Sequence, residues 1–118
     1  MTEVTRVGLS TSNDGEMIVV AATATVGTTI HTATTQTSTS RYDEVWLFAS
    51  NSHSVAVDLT MEIDIANSST SKFKVSIPKD DGLFVVLPGV SIHNGKLITA
   101  FASVASVINV VGYVEQHI

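Results

Sequence analysis

The amino-acid sequence predicts an all-β protein: an antiparallel two-sheet β-sandwich, jelly-roll-like, of about eight strands. Three observations carry that expectation. Val, Ile and Thr make up 41 of the 118 residues, and β-branched side chains are stiff at χ1 and pack well on a pleated surface. From Ser54 to Ile65 apolar and polar residues alternate strictly, with Val55, Val57, Leu59, Met61, Ile63 and Ile65 set between Asp58, Thr60, Glu62 and Asp64. A strand sends successive side chains to opposite faces, so this stretch has one apolar and one acidic face. Turn-forming clusters then recur at roughly 8–15-residue spacing, and no segment carries a convincing helical period.

Taken in order, Val4 to Leu9 reads as a first strand, and Ser12-Asn13-Asp14-Gly15 as a tight reversal. Glu16 to Val26 reads as a strand carrying small residues (Ala21, Ala22, Ala24), which suggests close approach of another layer or subunit, and Gly27 ends it. Tyr42 to Ala49 is the next strand and holds the only Trp, Trp46, read as core. Asn51-Ser52-His53-Ser54 turns the chain into the alternating strand, and Lys72 to Ile77 answers it. Folded back antiparallel, Ile63 falls opposite Phe73, Asp64 opposite Lys72 and Glu62 opposite Lys74, so apolar and charged pairs agree on one register. The acidic face is then a solvated, salt-bridged exterior.

Pro78-Lys79-Asp80-Asp81-Gly82 is a second turn signal. Leu83 to Leu87 is apolar on both faces, which places it centrally, and Pro88-Gly89 stops it. Asn94-Gly95 is the strongest short hairpin signal in the chain. Lys96 to Ser103 and Ser106 to Glu115 are the last strands, the final one with Ile108, Val110 and Val114 on one face and Val107, Val111 and Tyr113 on the other. Leu83–Leu87 and Val107–Val114 are expected to be the most deeply buried strands.

Thr28 to Ser40 stands apart, with no charge and a single large apolar residue, Ile30. Its composition fits a solvated loop or an edge strand. It fits equally an uncharged arm that orders against a partner, because Thr and Ser offer hydrogen bonds without the desolvation cost of an ion. Thr28, Thr29, Ile30, His31, Thr32, Thr34, Thr35 and Thr37 are the candidate contacts, with Ile30 as an apolar anchor and His31 as a pH-sensitive group.

One domain spanning residues 1–118 accounts for the length, and a domain of this size buries roughly two-thirds of its unfolded surface. Only 14% of the residues are charged, about half the fraction of a well-behaved free surface. The 29 Ser and Thr residues supply polarity without charge, as suits a surface covered by other subunits. A net charge of −5 with six scattered basic residues argues against nucleic-acid binding. The absence of cysteine excludes a disulfide framework, a thiolate metal site and a Cys nucleophile. The start Met-Thr-Glu-Val-Thr-Arg resembles no signal peptide, and no apolar run reaches membrane length.

Chemistry is sparse. His31, His53, His93 and His117 read as exposed loop or terminal residues, none paired at metal-ligand spacing. No Ser sits in a nucleophile-elbow context, and Asp80-Asp81-Gly82 beside Lys79 is a turn rather than a calcium loop. The residues point to no enzyme, no cofactor and no metal.

A resemblance enters here. Asp43-Glu44-Val45-Trp46-Leu47-Phe48-Ala49-Ser50-Asn51, the strand Val57 to Glu62, Ile77-Pro78 through Pro88-Gly89, Asn94-Gly95, Ile98 to Ala102 and Val107 to Val114 are together similar to a family of small virion structural proteins of tailed bacteriophages, encoded near the head genes. The likeness spans roughly residues 28–116 and rests on strand-and-turn patterns. It implies a capsid decoration or cement protein, a β-sandwich bound to the major capsid protein in the virion, often as a homotrimer, assembled in the host cytoplasm. It carries over no catalytic residue. Another virion role, as a head fibre, tail or receptor-binding part, and a glycan-binding β-module are the alternatives.

Overall fold

The regular alternation of apolar residues organises the described residues into nine strands: β1 (Val4–Gly8), β2 (Ile18–Val19), β3 (Thr28–Thr32), β4 (Tyr42–Asn51), β5 (Val57–Ile63), β6 (Lys72–Ile77), β7 (Phe84–Ile92), β8 (Leu97–Ala102) and β9 (Ile108–His117). The computed structural model describes residues 3–35, 41–64, 71–79 and 82–117. All pairings are antiparallel. One sheet, sheet A, has the order β1-β9-β4-β7 with β2 also on β9, and sheet B has the order β3-β8-β5-β6.

These two orders are the signature of a jelly roll. β1 and β2 share one edge of β9, so they act as a single interrupted strand. The pairs β1/β2 with β9, β3 with β8, β4 with β7 and β5 with β6 are then nested one inside the next along the chain. A long antiparallel ribbon has been wrapped so that successive pairs fall in alternate sheets, and its inner faces meet as a double-layered core. Val45, Leu47 and Ala49 of β4 and Ile108, Val110 and Val114 of β9 supply sheet A's half. Leu59 and Met61 of β5 face them with Ile98, Ala100 and Ala102 of β8, all fully buried.

Strand β4 also ties the sheets together at both of its ends. Asp43 Oδ2 meets His31 Nε2 of β3 at 2.7 Å with both side chains buried. At the other end Asn51 Nδ2 donates to the carbonyls of Ile77 (2.9 Å) and Val55 (3.0 Å), while its Oδ1 accepts from the His53 amide (2.8 Å). Buried polar groups persist only when so paired.

Four expectations need correcting. The β5–β6 hairpin forms, but two residues away from the register read from charge: Met61 lies opposite Phe73, Glu62 opposite Lys72 and Thr60 opposite Lys74. A two-residue slip keeps every side chain on its face. It brings Val57 opposite Ile77, both almost wholly buried. Exposed ion pairs contribute only about 0.2–1 kcal/mol each and cannot hold a register against that burial. Asp64, which was to pair with Lys72, adopts a left-handed backbone at the end of β5 and lies 3.4 Å from Lys96. The intervening Ala66-Asn67-Ser68-Ser69-Thr70 lies outside the described residues.

Second, Leu83–Leu87 is not central: Leu83 precedes and Phe84–Leu87 opens β7, an edge strand of sheet A, with Leu83 56% and Val85 51% exposed. Pro88-Gly89 does not stop the strand, which runs on to Ile92 through register shifts. Pro lacks a donor and is tolerated at a bulged edge. Gly89 has φ +83°, and a Cβ there would meet the Trp46 ring at 2.8 Å. Of Val107–Val114 the inward residues Ile108, Val110 and Val114 are fully enclosed, whereas Val107, Val111 and Tyr113 are half-buried, so the burial expectation holds for one face of that strand alone.

Third, of Glu16–Val26 only Ile18–Val19 joins a sheet. The rest crosses from sheet A to sheet B as a strap, bonded through Val20 to Ser106 and Ile108 and through Ala22 to Ala102. Gly27 ends it because the strap lies on the Ala100 backbone, where any Cβ would collide. Fourth, His31 is no exposed loop residue, and His117 lies on β9.

Replacing Ile108 by Ala is expected to lower unfolding stability by about 2–5 kcal/mol through lost burial and a residual cavity. Leu83→Ala on the exposed edge is expected to change it by under about 0.5 kcal/mol. Urea unfolding of the two variants checks both, and equal losses would contradict this placement of β7 and β9.

Candidate functional site

The segment singled out from composition begins as β3, an edge strand whose outward edge the chain itself caps. Thr11 Oγ1 donates to the carbonyls of Thr29 (3.0 Å) and Ile30 (2.7 Å), and Ser10 Oγ accepts from the Thr32 amide (2.8 Å). Thr28 Oγ1 accepts from the amides of Ala21 and Ala22, pinning the strap. Ile30, at a register shift in the β3–β8 ladder, is fully buried in the core. His31 is 3% exposed and engaged with Asp43. Neither side chain faces outward as an anchor or pH-sensitive contact. Thr34 is half-buried, its hydroxyl accepting from Gln116 Nε2 (2.7 Å). Thr32 and Thr35 are exposed, Thr29 is half-buried, and Thr37 lies outside the described residues.

Ser10, His31 and Asp43 come together in a way that invites comparison with a nucleophilic triad. The roles do not fit. His31 Nδ1 accepts from the backbone amide of Ser10 (3.0 Å), which leaves Nε2–H to donate to Asp43. The Ser10 hydroxyl holds the Thr32 amide instead of the imidazole. In a triad the hydroxyl proton passes to the ring nitrogen. Here the imidazole joins β3, β4 and the 9–12 turn, a structural tie.

A second buried polar centre sits on the outer face of sheet B. Glu62, on β5, is fully buried beneath the strap. Its carboxylate accepts from Thr25 Oγ1 (2.7 Å), the Gly27 amide (2.9 Å) and Thr99 Oγ1 (2.8 Å). Burial alone pushes the carboxyl up. The hydrogen bonds from Thr25, Thr99 and Gly27, with Lys72 nearby, outweigh it and hold the group below the ordinary glutamate range. The acidic face read as solvated is therefore partly a clasp. Of Asp58, Thr60, Glu62 and Asp64, only Asp58 is exposed.

The surfaces left for partners are the outer faces. On sheet A the outward side chains of β4 are Tyr42, Glu44, Trp46, Phe48 and Ser50, and those of β9 are Asn109, Val111, Tyr113, Glu115 and His117. Val85, Phe48 and Val111 form a row across β7, β4 and β9. Trp46 stacks on Tyr113 with ring centroids 6.2 Å apart, and the Arg6 guanidinium lies 4.5 Å from the Tyr113 centroid. Tyr42 stacks on His117 at 4.3 Å. Trp46 is therefore a half-buried outer-face residue, not core. The signal was in the sequence: Asp43, Val45, Leu47, Ala49 and Asn51 already fill one face of the strand, which leaves Trp46 and Phe48 for the other. On sheet B a groove of about 560 Å³ is lined by Phe73, Phe101, Asp58, Lys72 and Lys74 among others.

Compared with known proteins, the chain matches no family model, no curated protein and no solved structure.

The lowered Glu62 carboxyl sets a sign for the response to acid. Its contribution is fully present above the ordinary glutamate range and is lost as pH falls through the lowered value. At neutral pH Glu62→Gln is expected to cost about 1–3 kcal/mol by weakening charge-assisted hydrogen bonds. The gap between parent and variant should close as the pH falls into the acid range. Urea midpoints across pH measure it, and a gap that does not change with pH would contradict the assignment.

Proposed function

We propose that this chain is a non-enzymatic structural protein of a tailed-phage virion, a cement protein that binds and stabilises the outer capsid shell. The observation that carries the reading is the outer face of sheet A. An antiparallel sheet with one solvated face normally alternates apolar inside with polar outside. Here Val85, Phe48 and Val111 cross three strands on the outside, beside the stacked Trp46 and Tyr113. A contiguous apolar face of this kind marks a protein-interaction surface. The same strand, β4, carries the Asp43–Asn51 segment of the resemblance, so both lines of support converge on one element. The jelly-roll wrap is shared by viral capsid domains and by unrelated lectins and cupins, and it bears on architecture alone.

In this reading the major capsid protein covers sheet A's outer face, and copies of the chain associate as a homotrimer. No chemistry is required. Many modest contacts add up because attachment is multivalent. The low charge then serves the contact, since few ions must be stripped of water.

A second reading rests on the groove over sheet B. Phe73 and Phe101 offer apolar surface, and neither Lys72 nor Lys74 forms an ion pair among the described residues. A receptor- or glycan-binding component would use that groove.

Co-sedimentation with heads of the phage whose genome carries this reading frame, prepared without the protein, separates the two. Phe48→Glu is expected to abolish attachment and Phe101→Ala to leave it intact, with sedimentation equilibrium at micromolar concentration returning a trimer. Attachment undiminished by Phe48→Glu, or a stable monomer, would count against the respective part of the proposal.

A further inference from the structure

We propose that Glu44, Glu115 and His117 form a binding site for a divalent transition-metal ion of the Zn²⁺ type on the outer face of sheet A. The inference is independent of the virion reading. Glu44 on β4 and Glu115 on β9 are direct cross-strand partners, and His117 stands two residues further along β9 on the same face, opposite Tyr42. One donor atom from each residue lies within 4.8 Å of the other two.

Two features of this cluster remain unexplained by the fold's own bonding. Like charges directly opposite on one sheet face repel, and among the described residues only one of the two carboxylates is matched by a basic side chain: Arg6 Nη2 donates to Glu115 Oε1 at 2.9 Å. The His117 Nε2 atom is enclosed, and no hydrogen-bond partner reaches it among the described residues. Glu44 Oε2 lies 3.9 Å away, beyond hydrogen-bond reach. The ring is 19% exposed and held flat against Tyr42, so it is presented toward the carboxylates in a fixed pose. A bound cation resolves both features at once. It takes the Nε2 lone pair and offsets the carboxylate that Arg6 leaves unmatched.

The donor set selects the ion. One imidazole nitrogen and two carboxylates suit Zn²⁺ and its neighbours, whereas Ca²⁺ and Mg²⁺ prefer all-oxygen shells. Donors around tetrahedral Zn²⁺ sit about 3.3 Å apart, a contraction that side-chain rotation of the two glutamates supplies. Three protein donors leave one position for water or for a residue of a partner seated on this face. Arg6, whose side chain is 65% exposed and lies over the Tyr113 ring, competes with the ion for Glu115.

Titrating the untagged full chain with ZnCl₂ at neutral pH, followed calorimetrically and by the absorption spectrum of Co²⁺ in its place, tests the site. Saturable binding of one ion per chain is expected. His117→Ala and Glu44→Gln should each weaken it by about tenfold or more, His53→Ala should leave it unchanged, and Arg6→Ala should tighten it. The gain in Arg6→Ala is a readout that a damaged fold would not produce, and circular dichroism of each variant confirms folding. Absence of saturable binding to the parent chain, or undiminished affinity in folded His117→Ala, overturns the proposal.

Discussion

Strand β4 is the element on which the rest of the structure depends. It lies between β9 and β7, bonded along both edges over nearly its whole length, and it presents Val45, Leu47 and Ala49 to the core. The two polar residues that bracket this apolar triplet reach across the sandwich at opposite ends. Asp43 meets an imidazole on β3, and Asn51 meets the last carbonyl of β6. Two sheets held by apolar contact alone can slide, because dispersion and hydrophobic burial are non-directional. Directional bonds from both ends of one strand fix their offset, and truncating either partner leaves the other buried and unsatisfied.

Sheet B is organised by a different rule. Its outer face is closed in part by the strap between β2 and β3, and the clasp is an ionised carboxylate with three donors. A buried charge is tolerable here because each hydrogen bond to it is charge-assisted. The arrangement joins residues about forty positions apart in sequence. It also explains why the charge pattern of β5 and β6 misleads: Glu62 is spent on the strap rather than on a neighbouring lysine.

What could be read from the residues is what depends on local period. Local pattern located six of the nine described strands closely, β1, β4, β5, β6, β8 and β9, and composition set the all-β class. The order of the sheets follows from non-local pairings that no short window contains. Leu83–Leu87 shows the limit, since apolar residues on both faces describe a central strand and an edge strand with an apolar outer face equally well. His31 shows another. A histidine among threonines looks solvated until a carboxylate twelve residues on is folded against it. Of the candidate contact segment, the edge-strand alternative describes residues 28–32, whereas the aromatic face of sheet A escapes the sequence because a lone Trp reads as core until Trp46 is seen stacked on Tyr113.

The protected rims of the two sheets carry a consequence for growth. β3 is sealed by Ser10 and Thr11, β6 presents Lys72 and Lys74, β7 is interrupted by Pro88 and a bulge, and the β1–β2 rim is broken by residues 9–17. Such rims resist the addition of a further strand. Among the described residues no unprotected sheet edge is therefore left from which a fibre could grow. Any association is then directed to its broad faces, where contact is finite and saturates once the matching surface is covered. A sparsely charged β-protein with such rims is in this way spared open-ended strand addition even where a broad face is apolar.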